Sequence, residues 1–432
     1  MSEYRGYEGD SLEFLKTNQV SVGDSVKILA DITYSGIIMP RYEHSDDKHI
    51  VLKLRSGYNI GLEIEKIEKI EKIEKIKSAE IIVQQDEKLE KVAGLPKILL
   101  LSTGGTIASK INYRTGAVTP VLTAEELNSS VPELAKIANI DAEALLLEYS
   151  ENIMPEHWLQ IAEKINEYSK SDYSGIIIAQ GTDTMHYTSS FLSFALAGFP
   201  IPIVLVGSQR SSDRASSDAA LNLIGATKFI TKSNTKGVYI VMHQDENDDT
   251  LACHVGTRVR KNHTSKRGAF QTIGDNPAFI IAENQIQKNI SENFFKINEF
   301  QPRIKLDTRV ALVKYYPGYN PKLLDQIIEM GYKGIIFEGT GLGHIGNTMY
   351  ESVKKANEKG IFLGMTSQCI DGRIRMTVYE SGRDLLDLGI IPLENMIPEV
   401  ALVKAMWTMG NVQNGEEMKK IMLENIASEL SS

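Results

Sequence analysis

Lys97–Ser109 reads KILLLSTGGTIAS: an apolar run from Ile98 to Leu101, then Ser102 and Thr103, two glycines and a threonine. An unbroken apolar run of this length, closed by turn residues, predicts a strand buried on both faces, as in a parallel sheet. Gly104 and Gly105 then predict a tight turn at the carboxyl end of that strand, where open α/β sheets hold their ligands. This turn has neither a Gly-Lys-Ser/Thr ending nor a G-x-G-x-x-G pattern, so it does not read as a cradle for a nucleotide phosphate. Thr106 therefore stands either as a cap on the next segment or as a hydroxyl offered to a substrate.

The same strand type recurs downstream as GIIIAQ (Gly175–Gln180), IPIVLVGS (Ile201–Ser208) and GVYIVM (Gly237–Met242), with helix-like stretches between strands such as HWLQIAEKINEYSK (His157–Lys170), which separates KILLLS from GIIIAQ. Strands alternating with helices predict βαβ units and a largely parallel sheet. A second set follows in VALVKYYPG (Val310–Gly318), GIIFEGTG (Gly334–Gly341) and IFLGMTS (Ile361–Ser367), with a boundary expected in the polar stretch Lys288 to Asp307. Upstream, GDSVKILADITYSGIIMP, HIVLKL and YNIGLEI alternate apolar and polar residues between Gly, Asp and Pro, which predicts a small β-barrel over Val20 to Ile64. Ile64, Ile67, Ile70, Ile73 and Ile76 then recur every third residue. Such a stripe drifts by about 60° per repeat around a helix and suits no strand, so it reads as a solvated connector, with a charged helix or a strand extension as alternatives. The fold expected is α/β: residues 1–80 as a small N-terminal β-barrel and charged connector, 95–290 as an α/β domain holding the site, and 308–432 as a second α/β domain.

Composition agrees with a globular chain of several domains: 432 residues, 42% hydrophobic and 24% charged. Its apolar runs fall far short of the roughly 18 residues of a spanning helix, so no membrane association is expected. The opening MSEYRGYEGDSLEF has acidic residues where a leader would be basic and then apolar, which predicts a cytoplasmic location. Cys253 and Cys369 are too few and too far apart for a disulfide framework and read as buried thiols. A formal net charge of -9 argues against a broad nucleic-acid-binding face; contact with RNA would need a local basic patch or a partner.

A second strand end, IIIAQGTDTMHYT, places Gly181, Thr182 and Asp183 as TGGT is placed on the first, and GTRVRKNHTSKRGAF carries Lys261 in a basic loop. Two hydroxyls, an acid and an amine make a chemical set if they converge, because a neutral amine can take a proton from a threonine and an acid can orient the amine. Taken singly, Thr182 reads as a cap, Asp183 as a turn residue and Lys261 as a solvated charge. Arg258, Arg260, Lys261, Lys266 and Arg267 read together as a solvated face or as a contact for a partner, RNA or substrate carboxylates. HQDENDDTLACH (His243–His254) has no standard metal-ligand spacing and reads as an exposed acidic loop, so no metal is expected. GTGLGHIG (Gly339–Gly346) has the glycines of a phosphate loop without its lysine and reads as a loop that shapes the site or a subunit contact.

TGGTIAS at Thr103–Ser109 together with GTDTM at Gly181–Met185 resembles the paired signature of the bacterial-type L-asparaginase/glutaminase family. The resemblance runs from about Leu95 through NYRTGAV around Tyr113, YSEN around Ser150 and RKNHTSKRGAF around Lys261. It implies that Thr106 attacks a side-chain amide to form an acyl-enzyme, that Thr182, Asp183 and Lys261 handle protons, and that Tyr113 assists. It also implies that Ser150 and Glu151 hold the substrate's α-amino and α-carboxylate groups; Glu151 stands where plain asparaginases usually carry glutamine. YSGIIMPRYE, LKLRSGYNIG and VGSQRSSDRASSDAALNL narrow the resemblance to the D-subunit family of archaeal glutamyl-tRNA(Gln) amidotransferases. That family implies a glutaminase component of a carbon-nitrogen ligase, passing ammonia to the amidotransferase's E subunit, which binds Glu-tRNA(Gln) and uses ATP and magnesium. It further implies a homodimer within a heterotetramer and no cofactor on this chain. A free-standing asparaginase or glutaminase with an added barrel, and a non-catalytic tRNA-binding or scaffold module, are the other readings.

Overall fold

The computed structural model describes residues 4, 6–41, 46–54, 59–73, 92–105, 109–112, 117–120, 131–210, 217–283, 285–290 and 299–431. Helix α1 (Gly9–Thr17) precedes strands β1 (Ser25–Leu29), β2 (Thr33–Ile38), β3 (His49–Leu54), β4 (Asn59–Glu63) and β5 (Lys69–Lys72). These strands form one antiparallel sheet in the order β4-β3-β2-β1-β5. Leu15 of α1 closes a small core with Val26, Ile28, Ile38, Ile50 and Leu52. The N-terminal β-rich unit is therefore present as a five-stranded sheet. Its last strand corrects the connector reading, because the first part of the Ile-Glu-Lys repeat is structural. Ile70 pairs with Ile28 across the ladder, and Ile64, Ile67 and Ile70 pack against the core. Apolar cover from β1 overrides the poor intrinsic fit of a three-residue repeat to a strand. Residues 74–91, which hold the rest of the repeat, lie outside the described residues.

Next come β6 (Lys97–Ser102), the hairpin β7 and β8 (Ser109–Asn112, Ala117–Pro120), β9 (Asn139–Ala144), β10 (Gly175–Ala179), β11 (Pro202–Val206) and β12 (Gly237–His243). They are followed by β13 (Thr250–Val255), the hairpin β14 and β15 (Val259–Lys261, Phe270–Thr272), β16 (Phe279–Ala282) and β17 (Ile286–Lys288). Among the described residues one eight-stranded sheet runs β17-β16-β13-β12-β11-β10-β6-β9, parallel from β9 to β12 and antiparallel beyond. The apolar runs serve both faces because successive residues alternate sides. Leu99, Leu101, Ile176, Ile178, Ile203 and Leu205 meet α2 (Pro155–Glu167) and α3 (Met185–Ala195), while Ile98, Leu100, Ile177 and Val204 meet α4 (Ala219–Lys232).

A parallel sheet of β18 (Val310–Lys314), β19 (Gly334–Gly339), β20 (Phe362–Ser367) and β21 (Ile391–Pro392) follows in that order. Helices α5 (Pro321–Glu329), α6 (Tyr350–Glu358) and α7 (Glu380–Asp387) cover one face of it. Its other face meets α8 (Pro398–Asn411), which also packs on α3; α9 (Gly415–Leu423) closes the same cluster. Trp407 of α8 stacks on Phe194 of α3 with ring centroids 5.6 Å apart, so the two α/β units share one core. Truncating a buried tryptophan there to alanine costs about 3–5 kcal/mol. Cys253 is buried as expected, whereas Cys369 is exposed, because it follows the end of β20 in a turn instead of facing a core. Among the described residues no helix is long and apolar enough to cross a membrane.

Candidate active site

The site is built at neighbouring strand ends. Thr103, just past β6, donates its backbone N–H to the Ala179 carbonyl at 2.9 Å, and its Oγ1 donates to the same oxygen at 3.1 Å. That stitch joins the ends of β6 and β10. Gly104 and Gly105 then turn at φ of +109° and +81°, in the left-handed region that favours glycine. A side chain on Gly104 would collide with the Glu148 carbonyl, and a Cβ on Gly105 would lie 2.6 Å from the Gly181 backbone nitrogen. The two turns are thus in close backbone contact, with Thr106 following one and Thr182 following the other.

Lys261 reaches this point from another part of the chain. At Gly256 the segment leading into β14 is tied to α3, where Ser189 Oγ donates to the Gly256 carbonyl at 2.7 Å. At the far end of β14, Lys261 Nζ donates to Thr182 Oγ1 at 2.8 Å and to Asp183 Oδ1 at 2.6 Å. Ser150 Oγ donates to the other carboxylate oxygen, Asp183 Oδ2, at 3.1 Å, and Thr184 Oγ1 fixes the Ser150 carbonyl at 2.6 Å. The Lys261 ammonium, helped by the Ser150 hydroxyl, holds the Asp183 carboxyl below its usual range. Thr182 is buried while Asp183 is exposed, so the amine bridges a sheltered hydroxyl and a carboxylate open to solvent. Behind them His186, in the first turn of α3, is buried and held at about 4 by desolvation and then by the nearby Arg260 and Lys261 charges. It is a neutral imidazole at physiological pH.

Four of the expected site residues are therefore assembled: Thr182, Asp183, Lys261 and Ser150. Glu151 lies exposed in the short 3-10 turn Ser150–Asn152, and Thr106 and Tyr113 lie outside the described residues. The basic group divides. Lys266 is exposed, Arg267 pairs with Asp248, Arg260 pairs with Glu399 at 3.0 Å, and Arg258 is buried, which corrects its reading as part of a solvated face. His243 and His254 are also buried, at the ends of β12 and β13, and only the acidic turn between them is exposed. The sequence pattern does not single out Thr184 and His186. Both sit in the run that follows Thr182, Thr184 as the N-cap of α3 and His186 in its first turn.

Three family models match the chain: "Asparaginase, N-terminal" at residues 97–293, "Glutaminase/Asparaginase C-terminal domain" at 309–422 and "GatD N-terminal domain" at 20–73. Relatives named as D subunits of glutamyl-tRNA(Gln) amidotransferase include one from Pyrococcus abyssi, 45% identical with 97% of each chain covered. Another, from Sulfolobus acidocaldarius, is 44% identical with 98% of this chain and 95% of the relative covered. A third, from Methanopyrus kandleri, is 42% identical with 100% and 95% covered. Among solved structures, the thermostable L-asparaginase from Thermococcus kodakarensis superposes with a TM-score of 0.70 at 33% identity, covering 78% of this chain and 99% of that one. A probable cytoplasmic L-asparaginase from Campylobacter jejuni shares the fold, with a TM-score of 0.62 at 23% identity, covering 77% and 100%.

Proposed function

The chain belongs to the family of glutamyl-tRNA(Gln) amidotransferase D subunits, the glutaminase component of that enzyme, and we propose that its chemistry is carried by Thr106 with Thr182, Asp183 and Lys261. The observation that carries this reading is the hydrogen-bonded chain Thr182–Lys261–Asp183, set beside the Gly104–Gly105 turn that leads into Thr106. The Thr106 hydroxyl attacks the glutamine amide carbon and loses its proton; the C–N bond breaks, the nitrogen takes a proton, and ammonia leaves. Water then attacks the ester and returns glutamate. Lys261, once neutral, accepts a proton through Thr182, and Asp183 orients it. Backbone N–H groups of the glycine turn face the carbonyl oxygen, a contribution of typically about 3 kcal/mol per donor in acyl transfer. Tyr113 assists beside the nucleophile, and Ser150 and Glu151 receive the α-amino and α-carboxylate groups of glutamine.

The ammonia goes to a partner, the amidotransferase's E subunit, which holds Glu-tRNA(Gln) and uses ATP and magnesium; this chain pairs with a second copy in a cytoplasmic heterotetramer. An acidic chain that leaves RNA and nucleotide to its partner fits the net charge of -9. A free-standing asparaginase or glutaminase accounts for the two α/β units and gives no task to residues 20–73, which match the GatD N-terminal domain. Ammonia release from glutamine by the purified chain and by Thr182→Val tests the site. Loss of roughly a hundredfold is expected from removing a proton-transfer group; equal rates would defeat the assignment.

A further inference from the structure

The strand that delivers Lys261 is held by a part of the molecule with no place in the chemistry above. Thr257 Oγ1 donates to the Ala427 carbonyl at 2.7 Å and Arg258 Nε to the Ser428 carbonyl at 2.9 Å. Both side chains are buried, and both immediately precede β14. The carbonyls that receive them belong to the segment Glu424–Ser431, which is folded back on itself by Glu429. Its carboxylate accepts from the Ala427 N–H at 2.7 Å, the Ile426 N–H at 3.1 Å and Lys404 Nζ at 2.5 Å. Lys404, on α8 and fully buried, gives further hydrogen bonds to the carbonyls of Met422 at 3.1 Å and Glu424 at 2.5 Å. Ser428 sits at φ +65°, a conformation that a residue other than glycine keeps only when its surroundings impose it.

Stability alone does not account for this construction. Desolvating an ammonium and a carboxylate costs about as much as their attraction returns, and apolar replacements of such pairs are often no less stable. What a saturated ion pair supplies is a fixed geometry, here for two carbonyl oxygens aimed at consecutive residues at the start of β14. Lys261 lies three residues beyond Arg258, and its amine must meet two oxygens at once. We propose that Glu424–Ser431, locked by Lys404 and Glu429, is a positioning element for Lys261 that acts through Thr257 and Arg258. The proposal rests on the reading of Lys261 as the proton-handling amine.

The test is glutamine hydrolysis by the full-length chain carrying Thr257→Val, Thr257→Ser, Arg258→Lys or Lys261→Met, assayed well below each variant's melting temperature. Thr257→Val and Arg258→Lys each remove one bond to the segment and are expected to lower kcat tenfold or more, since a displacement of about 1 Å can cost roughly a hundredfold. KM for glutamine should stay within about twofold, because Ser150 and Glu151 are untouched. Thr257→Ser, which restores the hydroxyl, should recover the rate. Should Thr257→Val fail to fold, Arg258→Lys, which keeps the charge and loses the Nε donor, reads the same contact. Wild-type kcat in Thr257→Val and Arg258→Lys alongside an inactive Lys261→Met would overturn the positioning role. A loss that Thr257→Ser does not repair would overturn it as well. An active Lys261→Met would instead remove the reading of Lys261, and the positioning role with it.

Discussion

Lys261 Nζ bridges two consecutive residues, 2.8 Å from the hydroxyl of Thr182 and 2.6 Å from the carboxylate of Asp183. A compact ammonium with rotatable donors can serve both oxygens and can also lose a proton; a guanidinium is a planar fork that stays charged. Lys261→Arg therefore keeps the ion pair and loses the base. Its rate of ammonia release from glutamine should fall below about a tenth of the wild-type value, since general-base contributions usually reach roughly a hundredfold. A variant above that level would mean that charge alone suffices.

Thr106→Val keeps the branched shape and removes the hydroxyl. Glutamine-dependent amidation should vanish while the thermal transition is retained. The complex with its partner should still amidate Glu-tRNA(Gln) when ammonium is supplied in solution, because only the ammonia source is disabled. Near-normal glutaminase activity would place the nucleophile elsewhere.

Two buried histidines make the fold sensitive to acid. Burial holds His254 at about 3 and His186 at about 4, against about 6.5 for an unperturbed imidazole. Between 6.5 and those values the unfolded chain binds protons that the folded chain refuses, so stability is full above about pH 6.5 and declines as the pH falls toward 4. For His186 alone the loss by pH 4 is about 3 kcal/mol. Urea midpoints at pH 7, 5.5 and 4.5 check the sign, and His254→Gln, which cannot titrate, should show a shallower decline than the wild type. An identical slope would exclude His254 as a contributor.

An unrestrained glutaminase consumes glutamine without an acceptor, so a chain that feeds a partner gains from being slow when alone. The isolated chain should hydrolyse glutamine weakly, and addition of the E subunit with Glu-tRNA(Gln) should raise the rate at least fivefold, a coupling of about 1 kcal/mol. Ammonia release is measured for the chain alone, with partner, and with partner plus charged or uncharged tRNA. Equal rates throughout would favour a free-standing amidohydrolase; equal stimulation by uncharged tRNA would make RNA binding the trigger.

The strands were legible in the sequence because Ile98–Leu101 and Ile176–Ala179 are contiguous apolar runs that serve two faces at once, and the glycine turns because little else suits their backbone. The convergence of Lys261 on Thr182 was not legible from spacing. β14 has three residues, lies outside the main sheet and is placed by ties such as Ser189 to Gly256, so no periodicity marks it. Arg258 looked like one charge among several in a basic loop, since nothing local announces a carbonyl received from residue 428. The Ile-Glu-Lys repeat misled for a related reason: its pattern argues against a strand, and the cover supplied by β1 decides otherwise.

The cluster that joins Leu99, Ile176 and Leu205 also contains Val400, Trp407, Met422 and Ala427. During synthesis the first group emerges some two hundred residues ahead of the second, roughly ten to forty seconds at ordinary elongation rates. For that interval α2 and α3 already lie on this face of the eight-stranded sheet, but the outer side of α3, where Phe194 later meets Trp407 of α8, has no lasting cover. It is a surface for chaperones or for aggregation, while the face under α4 is already complete. A ribosome-bound chain that contains every site residue through Lys261 still exposes that side of α3, and a fragment ending near residue 293 keeps it exposed permanently.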